Sequence, residues 1–145
     1  MGTRCLTVVA EKDGGEEDLV MYRQMDGYPE GHGLELLKRF GNHKICDGFN
    51  SQTSEDYANG MSCLAAQIVA HFKTEIGHIY LLPSGTRNSD EEYIYYLYPR
   101  PRSEAFNPPS LNNREVTLCL RVTDVYDEKI LYDGSIMNAK EGLGL

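Results

Sequence analysis

The sequence predicts an α+β fold: a mostly antiparallel sheet of about six strands carrying two helices on one face, in the order β-β-α-α-β-β-β-β. Three observations point there. Gly14-Gly15 separates two β-branched runs, which is a hairpin signal. Residues 59–73 repeat their apolar positions with helical period. The second half of the chain then offers four further strand-like runs divided by turn formers. No repeat and no internal linker interrupts residues 1–145, so one domain is expected.

The elements follow in order. RCLTVVA (4–10) and LVMYRQ (19–24) are the hairpin strands, and their adjacent apolar residues imply that at least one of them is covered on both faces. GLELLKRF gives Leu34, Leu37 and Phe40 on one side of a short helix, with Gly41 as its stop. Residues 41–58 are polar and turn-rich, which reads as a long functional loop. In NGMSCLAAQIVAHFK, Met61, Leu64, Ala65, Ile68 and Phe72 share one helical face, and Asn59 is the candidate N-cap. GHIYLLP (77–83) reads as a buried strand, EYIYYLY (92–98) as an aromatic one, and 99–113 as a proline- and asparagine-rich exposed loop or flap. In EVTLCLRVTDVYD, Val116, Leu118, Leu120 and Val122 alternate inward. KILYDGSI is the last strand, and NAKEGLGL is expected to fray.

The charge balance narrows function. With 22 acidic against 14 basic residues the net charge is -8, which disfavours a broad electrostatic grip on duplex nucleic acid. A local basic pocket inside the acidic shell stays compatible with that total. No apolar run is long enough to span a membrane, and the N-terminus lacks a signal peptide's apolar stretch. Cys5, Cys46, Cys63 and Cys119 have no C-x-x-C spacing and read as reduced, mostly buried residues of a cytoplasmic protein. No metal-ligand spacing such as H-E-x-x-H occurs, so no metal or cofactor is expected.

The stretch YRQMDGYPEGHGLELL (22–37) concentrates the candidate chemistry. Its glycines permit close backbone approach, and it runs into a helix N-terminus, where free N–H groups favour an anion. Gly-Thr-Arg occurs at 2–4 and again at 85–87, and an arginine fork suits phosphate or carboxylate. The candidate ligand-binding set is therefore Arg4, Arg23, Asp26, Tyr28, His32 and Arg87. The competing reading is a tight strand-to-helix connection with ordinary surface ion pairs.

Three words, G-T-R-x-L-T from Gly2, Y-R-Q-x-D-G-Y-P-x-G-H-G from Tyr22 and N-G-M-x-C-L-A-A-Q from Asn59, with an I-Y-L strand at Ile79, resemble an uncharacterised family of small bacteriophage, prophage and bacterial proteins. The resemblance covers roughly the first 100 residues and implies context, not mechanism: an accessory protein in the bacterial host cytoplasm. In that context the leading expectation is a binding module for an anionic nucleotide-like small molecule or a host factor, serving counter-defence or host modulation. The alternative is a small hydrolase or nucleotide-cleaving enzyme using His32 with Asp26. A third reading, an acidic protein–protein inhibitor, is weakened by scattered charges. Whether copies self-associate stays open.

Overall fold

The computed structural model describes residues 2–46, 56–101 and 116–145. Eight strands form one sheet: β1 (Cys5–Ala10), β2 (Glu17–Arg23), β3 (Lys44–Cys46), β4 (Tyr57–Asn59), β5 (Ile79–Leu82), β6 (Tyr93–Pro101), β7 (Val116–Asp124) and β8 (Lys129–Ser135). Three α-helices accompany them: α1 (Leu34–Phe40), α2 (Gly60–Phe72) and α3 (Ala139–Gly142). The strand order is β4-β3-β7-β6-β1-β2-β5, with β8 also paired to β7, and the sheet curls into a half-barrel.

This corrects the expected mostly antiparallel sheet of six strands with two helices. The sheet is mixed: β1 and β6 run parallel, as do β3 and β4, while the other pairs are antiparallel. The physical reason lies in β1. Its six residues CLTVVA are all buried, so it cannot be the outer half of a hairpin. It takes β2 on one side through the Gly14-Gly15 turn and β6 on the other. The two additional strands, β3 and β4, have three residues each; β3 lies inside the polar 41–58 stretch read as loop, and β4 ends one residue beyond it at Asn59. Strands this short carry no alternation signal. The rest of that expected loop, 47–55, and most of the expected 99–113 loop lie outside the described residues.

Alternation assigns the two faces. Cys5, Thr7 and Val9 of β1, Met21 and Arg23 of β2, and Tyr95 and Leu97 of β6 point towards the helices. Leu6, Val8, Ala10, Val20, Tyr96 and Cys119 form a second cluster on the other face. The α2 face buries Met61, Leu64, Ala65, Ile68 and Phe72, the set its period predicts. Asn59 stands at its N-cap position without a side-chain capping bond.

Two ends of the fold depart from expectation. β5 is an edge strand, so only Ile79 is buried while Tyr80 and Leu81 face outwards. Lys73 Nζ donates to the Ile79 carbonyl at 3.1 Å, which blunts that edge against pairing with another chain. The C-terminal segment does not fray. Ser135 Oγ accepts the Met137 N–H, and Ile136 and Ala139 are buried with Leu143 packed behind them. Their i, i+3, i+7 spacing makes an apolar stripe that docks this last turn on α1 and β8.

Candidate functional site

The loop after β2 is held against the sheet by the protein itself. Asp26 takes a left-handed φ of 62°, which Asp tolerates better than most residues. Its carbonyl accepts the His32 N–H at 2.8 Å, and Gly27 N–H donates to the Thr3 carbonyl at 2.8 Å. Tyr95 Oη donates to the Gly27 carbonyl at 2.7 Å. A Cβ at Gly27 would stand 2.8 Å from Cys5 Cβ and 2.9 Å from the Arg4 carbonyl carbon. A Cβ at Gly31 would stand 2.5 Å from the Asp26 carbonyl oxygen. The glycines therefore admit neighbouring backbone and not a ligand. Gly27→Ala is expected to lower folding stability by about 1–3 kcal/mol. Urea denaturation measures this, and unchanged stability would mean that the space is held for something else.

Residues 29–33 form a π-helical turn leading into α1. It drives His32 fully into the core, between the rings of Phe72 and Tyr95, each 4.8 Å away. Arg23 Nη1 donates to His32 Nδ1 at 3.1 Å. A guanidinium can only donate, so Nδ1 is the unprotonated nitrogen. Nε2 then carries the hydrogen and donates to Thr7 Oγ1 at 2.6 Å. Burial first, then the Arg23 charge, pull the imidazole pKa down to about 3. His32 is a neutral, fully bonded residue at ordinary pH.

Arg23 is itself nearly buried. Its Nε donates to the Met25 carbonyl at 2.7 Å and its Nη1 to Glu35 Oε2 at 2.8 Å. Glu35 reaches the surface, where Oε1 stands 3.9 Å from His71 Nε2. Thr7, His32, Arg23, Glu35 and His71 thus form one chain from core to solvent. Its middle is saturated by hydrogen bonds, and Asp26 does not contact the imidazole. The roles expected for His32 and Asp26 in proton transfer find no geometry here.

The six expected ligand residues occupy separate environments. Arg23 and His32 meet, but inside the core. Arg87 pairs with Glu17, Nη2 to Oε2 at 2.8 Å, at the opposite end of β2. That end is about 20 Å away along the strand at roughly 3.3 Å per residue. Arg4 lies beside Tyr22 on the other face of the sheet. The Asp26 carboxylate and the Tyr28 hydroxyl are 3.4 Å apart at the surface.

Tyr28 instead borders a cavity of about 220 Å³ between the loop and the β7–β8 turn. Its other walls include Glu92, Tyr93, Asp124, Tyr126 and Asp127, with no Lys or Arg among them. Desolvation, then Asp124, Glu30, Glu92 and Asp127, raise the Tyr93 phenol pKa. Tyr126 is 69% exposed and Tyr28 38% exposed, so two of the three rings are open to solvent. Sequence reasoning missed this cavity because Tyr28 and Tyr126 come from opposite ends of the chain. The acids clustered around Tyr126 in DVYDE (124–128) were its one local sign.

The chain matches no protein-family model, no curated protein and no solved structure. Among the described residues, no helix is long and apolar enough to cross a membrane.

Proposed function

We propose that this protein is a binding module that docks a partner protein through a basic side chain seated in the tyrosine–carboxylate cavity beside Tyr28. The observation that carries the reading is the composition of that cavity: three tyrosine rings with Glu92, Asp124 and Asp127 and, among the described residues, no lining cation. A guanidinium or ammonium over a tyrosine face gains about 0.5–2 kcal/mol, more where it is desolvated. The carboxylates supply the counter-charge, and the net charge of -8 adds long-range attraction for a basic partner. The resemblance to phage and prophage proteins suggests a host factor as that partner and host modulation as the purpose. An anionic ligand gains nothing at this mouth, where the nearest charges repel it.

The test is an NMR titration with N-acetyl-arginine methylamide and its lysine counterpart. Salt-sensitive, saturable shifts confined to Thr3, Tyr28, Tyr93 and 124–127 are expected. Tyr126→Ala should weaken binding about 3- to 20-fold, the equivalent of one cation–π contact. Tyr126 is exposed enough for the variant to fold normally. Shifts spread evenly over the acidic surface, or none, would overturn the proposal.

A further inference from the structure

A second site lies on the helix side of the molecule, on residues that the tyrosine cavity does not use. It is a cavity of about 270 Å³ between the end of α1 and the turn that enters α3. α1 brings Leu37 and Lys38 to it, the residues after the helix bring Asn42, and the C-terminal segment brings Ile136, Met137 and Lys140. Side-chain direction explains the grouping. Leu37 and Ile136 are buried where α1 and the last turn pack on the core. Lys38, one position on from Leu37, and Lys140, one on from the buried Ala139, turn outward to solvent. Met137 is 52% exposed, so apolar surface is left open to solvent inside a concavity.

The charges at this cavity are unlike those of the chain as a whole. Acidic residues outnumber basic ones 22 to 14, yet among the described residues the wall holds two lysines and no Asp or Glu. Several other cations serve the fold: Arg23 pairs with Glu35, Arg87 with Glu17, and Arg121 with Asp13 and Asp133. Lys73 binds the Gly77 and Ile79 carbonyls. Among the described residues, the side chains of Lys38, Asn42 and Lys140 meet no hydrogen-bond or ion-pair partner. The bland reading of Lys38 is that it complements the carbonyl end of α1. That reading does not extend to Lys140, which sits in a helix of only four residues. Two ammonium groups at one cavity favour an anion there over any cation.

We infer that this cavity binds a small amphipathic anion, a phosphate or carboxylate carried on a short apolar body. The body lies on Met137 over Leu37 and Ile136, the anion meets Lys38 and Lys140, and the Asn42 amide donates to a remaining oxygen. The volume keeps the body small, since pockets for drug-sized ligands begin at about 300 Å³. Solvated lysines over a water-filled hollow are the competing state. That state gains nothing from an apolar body and does not saturate.

Phenyl phosphate is the probe. Its control arms are inorganic phosphate, which lacks the ring, and benzyl alcohol, which lacks the charge. NMR titration with phenyl phosphate should give saturable shifts at Lys38, Gly41, Asn42 and 136–140, leaving Tyr28 and 124–127 unmoved. Inorganic phosphate and benzyl alcohol should each bind about tenfold more weakly. Lys140→Gln should weaken phenyl phosphate about two- to fivefold, the range of an exposed ion pair, and added salt should shrink that difference. Lys140 is exposed, so the variant keeps the fold, which an unchanged amide spectrum away from the site verifies. Equal binding of either control arm, undiminished binding by Lys140→Gln, or no saturable shifts with phenyl phosphate overturns the inference.

Discussion

Lowering the pH from neutrality to about 3 should remove on the order of 5 kcal/mol of folding stability through His32 alone. The folded imidazole titrates at about 3 against a usual 6.5, because burial and the Arg23 cation both oppose a second proton. In the unfolded chain the same group takes up a proton as the pH falls through 6.5. Between these values the unfolded state binds more protons, so acid favours unfolding. The stabilisation is complete above pH 6.5 and is lost progressively down to about 3. The limiting slope is about 1.4 kcal/mol per pH unit for one proton. Burial also lowers the His43 pKa, and that residue contributes with the same sign. Urea denaturation across pH 4–7 therefore needs His32→Gln as its reference. The variant should be less stable at neutral pH and show the shallower dependence. Parallel curves for the two proteins would remove His32 as the source.

Arg23→Met should cost about 2–3 kcal/mol. It leaves His32 Nδ1, in the core, and the part-buried Met25 carbonyl without their donor. Removing one member of a fully buried ion pair costs about 3–5 kcal/mol, but Glu35 is 44% exposed and can recover water, so the lower figure applies. The same variant has a second, diagnostic effect. Without the neighbouring cation the His32 pKa rises, and the acid transition moves to higher pH. Denaturation gives the first effect and imidazole NMR titration the second. A structural chain from Thr7 to His71 requires both, whereas a free anion-binding arginine would show neither.

The strands and the main helix were legible because each carries its own signal. The α2 face could be read residue by residue, since five apolar positions at helical spacing leave one way to face a core. The β7 alternation was equally plain. β3 and β4 were not, because three residues inside a polar stretch have no period. The parallel β1–β6 pairing was also hidden, as it depends on the path of the chain between them. The unbroken apolar run of β1 was the available clue that it is central. α3 was hidden for a simpler reason: a glycine-rich ending looks like fraying until Ile136 and Ala139 find a surface to bury against.

The loop between β2 and α1 shows most clearly what is local and what is tertiary. The sequence by itself determined that YRQMDGYPEGHG is a glycine-rich loop running into a helix, because composition and local stereochemistry are short-range. It also determined an acidic protein with room for a local basic pocket. Only the tertiary structure decided where charge and aromatic surface converge. It took Arg23 and His32 out of reach by burying them against Phe72 and Tyr95. It placed Tyr28 beside Tyr126 at one cavity mouth. These groupings join residues separated by up to about 100 positions, and such distances are closed by packing, which no local pattern encodes.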